Sequence, residues 1–451
     1  MAGLKPHARP FVKAVFAVLA ERAPTYSDTT DGFGRWTSRT DTDFVLEPRS
    51  VTADEACLER ELIFDFPGVA ERVAFRAAVA ADTRLAPLLD KVVGSPLSAS
   101  RVDVDGLERG LLWSVFRAAG SLRYAAKAFE VGYDDWLAAA LAREVRLTVL
   151  VPLSAITVVG EIDLGDGITI GQLSDEEVES LLGARLVPDV FGFGNFVNVL
   201  SRAALRTELA MERTVRTGTD EDGLRAMEHQ TRASDTLLEV IEALRVYKKG
   251  RVGHTGVAMR SRDGHLWTVP VSSGAARAPG PAMIIDAASE GKDIVRFWKH
   301  FRTARCTQAI DAVVRRFSYA GDRTRRDDQI VDLVAALEAL LLSEIDNRTE
   351  LKFRTSLRGA LFIEGVGLTR RDVQKQLRRA YNVRSSVAHG DDARKGDLKS
   401  ATDEQLTLDQ FVAETEDLVR VAVRRAIDCV GSGAPWPPDW DALVVGEASY
   451  P

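Results

Sequence analysis

The sequence predicts an α+β protein that is mostly helical. Helices are expected towards both ends of the chain, because long stretches rich in Ala, Leu and Arg repeat apolar residues at spacings of three and four. A central stretch of alternating β-branched residues predicts short antiparallel strands instead. With 451 residues, of which 45% are hydrophobic and 28% charged, the chain is long enough for about two to four domains with buried cores.

Residues 1–143 are predicted to form a mostly helical N-terminal domain. Its first helix is expected over 1–25. The polar stretch 26–55, rich in Thr, Asp, Gly and Ser, predicts irregular structure or short strands. Helical periodicity then resumes over 68–93 and again over 105–143.

Residues 144–282 are predicted to form a mixed α/β region with hairpins. Short strands are expected over 145–171, and a long amphipathic helix over 222–247 precedes a second hairpin within 251–271. The run SSGAARAPGPA at 272–282 is typical of a flexible linker, and we take it as the boundary of this region.

The C-terminal part is predicted to be a helical bundle over 293–430, followed by an extended Pro-rich tail over 431–451. The tail contains a Pro-Trp-Pro-Pro run, which cannot continue a helix. The helices of the bundle are expected at about 293–318, 326–345, 350–365, 369–389 and 407–430.

Charge, hydropathy and cysteine content disfavour several classes of protein. A net charge of −7 is not that of a general nucleic-acid binder. No apolar run approaches the ~18 residues of a membrane span, and the N-terminus lacks the features of a signal peptide, so a cytoplasmic protein is expected. The 3 cysteines are far apart and the 6 histidines lack metal-ligand spacing, so neither a metal nor another cofactor is expected.

One short stretch is the candidate active site: Tyr381-Asn-Val-Arg384-Ser385-Ser-Val-Ala-His389-Gly390. Arg384 falls where the spacing of its helix calls for an apolar residue, and a charge on a packing face is costly unless it has a partner or a task. Gly390 suits a helix C-cap, which places His389 in the last turn. There the helix dipole favours positive charge, as suits an imidazolium that protonates a leaving group.

The helix that carries this stretch is strongly basic, although the chain as a whole is acidic. Between 369 and 384 the only acid is Asp372. A concentrated basic patch in an acidic chain is a plausible electrostatic footprint for RNA. Besides Arg384, the predicted RNA-binding residues are Arg370, Arg371, Lys375, Arg378 and Arg379.

The spacing between the arginine and the histidine is weak support on its own. A second copy at 260–265 straddles a hairpin turn, and its Asp-Gly pair is explained by turn geometry. A structural alternative also exists for the first copy. Arg384 would form a salt bridge with Glu350 or Glu338 of a neighbouring helix, and His389 would serve only as a capping residue.

Three segments, two before this stretch and the stretch itself, are informative through their order and spacing along the chain. They are Ala336-Leu-Glu338-Ala-Leu-Leu-Leu342, Glu350-Leu-Lys-Phe-Arg354-Thr-Ser-Leu-Arg358-Gly-Ala-Leu and Tyr381-Asn-Val-Arg384-Ser385-x-x-x-His389-Gly390. On these pieces, residues 326–430 resemble the HEPN superfamily, and specifically the Apea-like HEPN domains of bacterial and phage-defence proteins. The first 290 residues or so carry no such resemblance.

The resemblance implies a metal-independent endoribonuclease whose homodimer brings two copies of the motif face to face. The 2′-hydroxyl of RNA would attack the adjacent phosphate and leave a cyclic phosphate and a 5′-hydroxyl, so DNA should be inert. His389 would be the general acid or base, and Arg384 would hold the phosphate and stabilise its developing charge. The matching pieces imply four supporting residues: Ser385, Tyr381, Glu350 and Arg358.

Two alternatives to this function remain open. The leading prediction is a defence or stress-response ribonuclease whose N-terminal domains sense a phage or cellular trigger. The first alternative is a non-catalytic HEPN module for dimerisation or RNA binding, with the function carried by the N-terminal domains. The second, a metal nuclease suggested by Glu350-Leu-Lys352, is disfavoured because this pair lies in a helical run without a strand pattern.

Overall fold

The computed structural model describes most of the chain. The described residues are 3–26, 34–38, 44–48, 52–64, 66–89, 91–93, 100–142, 144–174, 177, 202–212, 214–215, 221–254, 256–261, 266–267, 282–344, 349–363 and 366–447. The turn of the second predicted hairpin and almost all of the predicted linker at 272–282 lie outside these residues.

The N-terminal part is a helical unit with its own hydrophobic core. Its helices are α1 (Lys5–Arg22), α2 (Ala53–Phe64), α3 (Ala70–Ala81), α4 (Val104–Ala119) and α5 (Ala126–Leu141). In the core the rings of Phe11 and Phe75 stack with 4.8 Å between centroids. Gly132 allows α5 to approach α4 closely, because a Cβ there would lie 2.6 Å from the Cα of Val115.

Two helices predicted in this part are shorter than expected. The helix predicted over 68–93 is wrong in its length, because the Asp82 side chain accepts a hydrogen bond of 2.9 Å from the backbone N–H of Arg84 and turns the chain. The stretch 105–143 contains α4 and α5 as separate helices. Gly120, with φ of 69°, ends α4 in the left-handed conformation.

Within the described part of the chain, the strands build one larger sheet and three small ones. They are β1 (Gly34–Ser38), β2 (Phe44–Pro48), β3 (Lys91–Val93), β4 (Ser100–Arg101), β5 (Glu144–Ser154), β6 (Ile156–Val159), β7 (Ile162–Gly165), β8 (Ile168–Gln172), β9 (Ala203–Glu212), β10 (Thr214–Val215), β11 (Gly253–His254), β12 (Ala258–Ser261), β13 (Leu266–Trp267) and β14 (Met283–Asp286). The small sheets pair β1 with β2, β3 with β4 and β10, and β6 with β14.

The larger sheet is organised around β5. Its strand order is β13-β12-β5-β9-β8-β7, and β11 also pairs with β5. The pairs are antiparallel, and β5 and β9 run in register from Glu144 opposite Glu212 to Pro152 opposite Ala204. Strands from both predicted hairpin regions therefore belong to one sheet.

Helices dominate the rest of the chain. They are α6 (Glu221–Tyr247), α7 (Ala287–Arg305), α8 (Gln308–Asp322), α9 (Arg326–Leu341), α10 (Leu351–Phe362), α11 (Arg370–Ala388), α12 (Leu408–Gly431) and α13 (Trp440–Val445). The single helix predicted over 293–318 is instead two helices, α7 and α8, which meet at Cys306 and Thr307.

The tail also differs from the extended segment predicted for 431–451. The Asp439 side chain caps α13 by accepting a hydrogen bond of 2.9 Å from the backbone N–H of Ala442. The ring of Trp440 then packs edge-on against Phe362, with 5.9 Å between centroids. The tail thus folds back onto α10.

A second core runs without interruption from the sheet to α12. Buried arginines reinforce the contacts of α6 with α8 and α12. Arg245, at the end of α6, donates to the backbone oxygen of Val252 at 3.1 Å and to the Ser318 hydroxyl. Arg420 of α12 donates to the backbone oxygen of Arg245 at 3.0 Å, and to Glu416 at 2.6 Å. Burial lowers the pKa of Arg245 to about 9.

The α+β, mostly helical class is therefore confirmed. Within the described ranges, no helix combines the length and the apolar character that crossing a membrane requires.

Candidate active site

The helix α11 that carries the candidate site is defined at both ends by its sequence. At its start Thr369 and Asp372 form a capping box, in which the Thr369 hydroxyl accepts from the Asp372 backbone N–H at 3.2 Å. At its end Gly390 has φ of 82°, and the backbone N–H of Asp391 donates to the Ser386 oxygen at 2.9 Å. This is a Schellman motif, and the predicted stop at Gly390 is confirmed.

Arg384 lies at the edge of the buried face of α11. Val383, the residue before it, is fully buried, whereas the Arg384 side chain is 30% exposed. Its Nη2 lies 3.7 Å from Oε2 of Glu338 on α9, which is longer than a hydrogen bond. Among the described residues neither Nε of Arg384 nor Oε1 of Glu338 has a hydrogen-bond partner. Arg384 therefore retains hydrogen-bonding capacity.

Tyr381 belongs to the same cluster. The guanidinium carbon of Arg384 lies 5.7 Å from the centre of the Tyr381 ring, within the range of a cation–π contact. Burial raises the pKa of the Tyr381 hydroxyl, and the Glu338 carboxylate raises it further while Arg384 opposes the shift. Tyr381 is thus held as a neutral phenol beside the Glu338–Arg384 pair.

His389 lies one residue beyond the last residue of α11. It is the C-cap residue, and its backbone N–H donates to the oxygens of Ser385 at 3.2 Å and Ser386 at 3.1 Å. Its side chain is exposed, whereas Ser385 is half-buried. The imidazole is therefore open to a large ligand, as an acid or base acting on RNA must be.

The two upstream residues that the HEPN resemblance marks as supporting have different surroundings. Glu350 is exposed and precedes α10 in a left-handed conformation with φ of 55°. Arg358 of α10 donates to the backbone oxygen of Leu341 at 2.7 Å and to Glu344 at 2.5 Å, and its guanidinium lies over the Trp440 ring at 5.1 Å. Arg358 thus holds the C-terminal end of α9 and the tail together.

The predicted RNA-binding residues divide into two groups. Arg370, Arg371 and Arg378 are exposed, and the Arg378 guanidinium lies 5.8 Å from the ring centre of the exposed Phe353. Lys375 and Arg379 are less exposed and both form ion pairs with Asp403, and the Arg379 side chain is only 13% exposed.

Sequence analysis missed the polar groups that surround the exposed end of α11. Lys352 donates to the Asn382 side chain at 2.6 Å, and Asn382 donates to Asp397 at 2.7 Å. Asp397 and Asp403 belong to the polar loop after Gly390. The only signal in the sequence is that this loop is rich in acids, and nothing in it indicates which acid contacts the helix.

The described part of the chain contains no cluster of three or more His, Cys, Asp or Glu side chains that could hold a metal ion. Cys57 and Cys429 are buried and Cys306 is exposed, and all three are free thiols. The side chains that the described site presents are an imidazole, a guanidinium and neighbouring hydroxyls.

Comparison of the chain with protein-family models, with curated proteins and with solved structures gives no match. The resemblance to HEPN domains is therefore carried only by the segments around Glu338, Glu350–Arg358 and Tyr381–Gly390.

Proposed function

We propose that this protein is a metal-independent endoribonuclease, the activity that the HEPN resemblance implies. The observation that carries the proposal is the state of Arg384. It lies beside a packing face, 3.7 Å from Glu338, and keeps an unpartnered Nε among the described residues, five positions before an exposed histidine. A guanidinium that is positioned by a carboxylate but still has an N–H donor without a partner can bind a phosphate.

The proposed reaction uses the RNA itself as the nucleophile. The 2′-hydroxyl oxygen bonds to the adjacent phosphorus, its proton passes to a base, and the bond from phosphorus to the 5′-oxygen breaks. The departing 5′-oxygen takes a proton from an acid, so the products are a cyclic phosphate and a 5′-hydroxyl. His389 serves as acid or base, and Arg384 stabilises the charge that develops on the phosphate.

A homodimer is proposed because one copy of the motif does not converge on a phosphate. Five residues of a helix turn through about 140° beyond a full turn, so Arg384 and His389 leave α11 in different directions. Arg384 points towards α9, whereas His389 is exposed at the helix end. A second copy facing the first would bring the two types of side chain together across one cleft.

The proposed cellular role is a regulated effector in defence or stress response, located in the cytoplasm. The N-terminal helical unit has its own core, separate from the core that contains α11. We place the sensing of a phage or cellular trigger in this unit. RNA would be the substrate, with Arg370, Arg371 and Arg378 as its exposed cationic contacts.

A non-catalytic module for dimerisation or RNA binding is the second candidate. It is favoured by the ion pair between Arg384 and Glu338, which gives Arg384 a structural partner, and by the pairing of Lys375 and Arg379 with Asp403. In that case the N-terminal regions would carry the function, and α11 would serve only in assembly or binding.

The test compares wild type, Arg384→Gln and His389→Gln on labelled single-stranded RNA in the presence of excess chelator. The proposal predicts cleavage by wild type and loss of about a hundredfold or more in each variant, since each group acts in the transition state. Arg315→Gln is the control for the loss of one arginine, because Arg315 of α8 pairs with Asp311 and belongs to no part of the proposed site. Unimpaired cleavage by His389→Gln would overturn the proposed site.

A further inference from the structure

The polar loop after α11 contains a small hairpin whose tip places the Asp403 carboxylate against α11. The hairpin spans 398–406, with Lys399 and Gln405 paired as an antiparallel bridge and the Leu406 N–H donating to the Leu398 oxygen at 2.9 Å. The Gln405 side chain adds a hydrogen bond of 2.7 Å to the Leu398 oxygen. Asp403 lies at the tip, with φ of 70°.

Ser400 fixes the conformation of this tip. Its hydroxyl accepts hydrogen bonds from the backbone N–H groups of Thr402 at 3.2 Å and Glu404 at 3.1 Å. The backbone N–H of Asp403 donates to the backbone oxygen of Ser400 at 3.0 Å. These bonds hold the residues on both sides of Asp403, so the direction of its side chain is set by the hairpin.

The Asp403 carboxylate bridges two cations of α11. Its Oδ2 pairs with Lys375, and its Oδ1 accepts from Nη2 of Arg379 at 2.5 Å. Arg379 also uses its Nη1 to donate to the Ser400 oxygen at 2.6 Å. The hairpin therefore holds Arg379 in position through its Nη1, while Asp403 occupies its Nη2. The Asp403 side chain itself remains 55% exposed.

We infer that Lys375 and Arg379 form a subsite for one RNA phosphate, and that Asp403 fills this subsite until RNA displaces it. The inference rests on the proposed function and adds to it a built-in competitor for the substrate. Carboxylate and phosphate are recognised by the same donors, since the guanidinium fork and the ammonium bind either group.

Displacement of Asp403 requires no rearrangement of the cations. When the carboxylate leaves, the bond from Arg379 to the Ser400 oxygen still holds the guanidinium in place. The carboxylate can return to water, because it is more than half exposed. The carboxylate partner of both ion pairs is solvated, which weakens the pairs, so a polyanion can compete with Asp403 for the two cations.

The test measures binding of a labelled single-stranded 2′-deoxy oligonucleotide to the full chain at several salt concentrations. Since it lacks the 2′-hydroxyl, this probe cannot be cleaved by the proposed reaction, and binding is read independently of activity. Asp403→Asn is expected to bind about three- to tenfold more tightly than wild type, and its log–log salt slope is expected to steepen by at most about 0.7, the contribution of one phosphate of a single strand.

Asp166→Asn is the matched control. Asp166 is likewise an exposed aspartate in a left-handed conformation, with φ of 53°, and its carboxylate pairs with an arginine, Arg302. Both changes remove one negative charge and keep a side chain that tolerates this backbone conformation. The subsite predicts tighter binding for Asp403→Asn only, and the gain should disappear when Arg379→Gln is added to it.

Equal effects of Asp403→Asn and Asp166→Asn would overturn the subsite, because net charge alone would then explain the change. Absence of binding by every variant would also overturn it. Failure of the proposed function has a different signature, namely no cleavage of RNA by wild type or Asp403→Asn. Tighter binding by Asp403→Asn without cleavage would support the subsite and leave the non-catalytic module as the function.

Discussion

Glu338 and Arg384 face each other across the contact between α9 and α11, with 3.7 Å between Oε2 and Nη2. This separation allows Coulomb attraction but is too long for a hydrogen bond. The two side chains are 20% and 30% exposed, so the pair is neither a fully buried structural salt bridge nor a free surface pair. Its strength decides whether Arg384 is available to a phosphate.

A double-mutant cycle on this pair distinguishes the catalytic from the structural role of Arg384. We expect Glu338→Gln and Arg384→Gln to show a coupling of about 1 kcal/mol or less in the free energy of unfolding, because the pair is long and partly solvated. Denaturant unfolding of wild type, both single variants and the double variant gives this value. A coupling above about 3 kcal/mol would contradict the proposal and favour the non-catalytic module.

Mixing two inactive variants tests whether two copies complete the site. In a symmetric dimer with sites shared between copies, Arg384→Gln and His389→Gln protomers recombine so that mixed dimers hold one intact site. An equal mixture should then recover about a quarter of wild-type cleavage, since about half of the dimers are mixed and each has one of two sites. The measurement is cleavage after the two variants are exchanged and re-equilibrated.

Each variant equilibrated alone is the control for this mixture. Activity no higher than the sum of the separate variants would show that Arg384 and His389 act within one chain. It would also remove the main reason for proposing a shared site.

The packing of α7 against the end of α12 predicts opposite effects for two glycine substitutions. A Cβ on Gly431 would lie 2.3 Å from Cβ and 2.6 Å from Cα of His300, so the backbone would have to move. Gly431→Ala should lower the free energy of unfolding by about 1–3 kcal/mol. A Cβ on Gly291, also in α7, would meet only Ile162 at 3.8 Å, so Gly291→Ala should stabilise by about 0.4–1 kcal/mol.

Thermal or denaturant unfolding of the two variants checks this pair of predictions. Equal effects of both substitutions would show that α7 and the end of α12 do not approach as closely as the 2.6 Å contact requires.

The competition between Asp403 and nucleic acid should not depend on pH near neutrality. Lys375 first, and then Arg379, lower the pKa of Asp403 from 3.8 to about 2. The charge of a carboxylate with a depressed pKa is complete above its unfolded value and is lost only as the pH falls through about 2. The ratio of oligonucleotide affinities of Asp403→Asn and wild type should therefore be constant from about pH 5 to pH 8.

Binding titrations of both proteins across this range check the expectation. The other titratable groups are present in both proteins and cancel in the ratio. Convergence of the two affinities near pH 5 would show that Asp403 titrates much higher than its ion pairs with Lys375 and Arg379 allow.

Local signals made the ends of α11 predictable from sequence. Gly390 and the capping box at Thr369 form hydrogen bonds only with residues close by in the sequence, so both helix ends can be predicted from local sequence. The position of Arg384 was close to the expected one, although Val383 beside it takes the fully buried place. Helical periodicity likewise indicated α9, α10 and α12 to within a few residues.

Contacts between distant segments were not predictable in the same way. The sequence left Glu338 and Glu350 as equal candidates for Arg384, and only the packing of α9 on α11 selects Glu338. Neither the role of Arg358 in holding the Leu341 carbonyl nor the position of Asp403 over α11 has a local signal. Breaks such as that between α7 and α8 were missed because apolar periodicity continues across them.

The most direct test of the central claim is the chemistry of the products. Purified protein with excess chelator is incubated with an RNA and with the same RNA carrying one 2′-deoxy nucleotide at the mapped cleavage position, and the new ends are analysed. Attack by the 2′-hydroxyl predicts a 2′,3′-cyclic phosphate and a 5′-hydroxyl from the RNA, and no cleavage at the deoxy position. A 5′-phosphate and 3′-hydroxyl, or cleavage at the deoxy position, would contradict it.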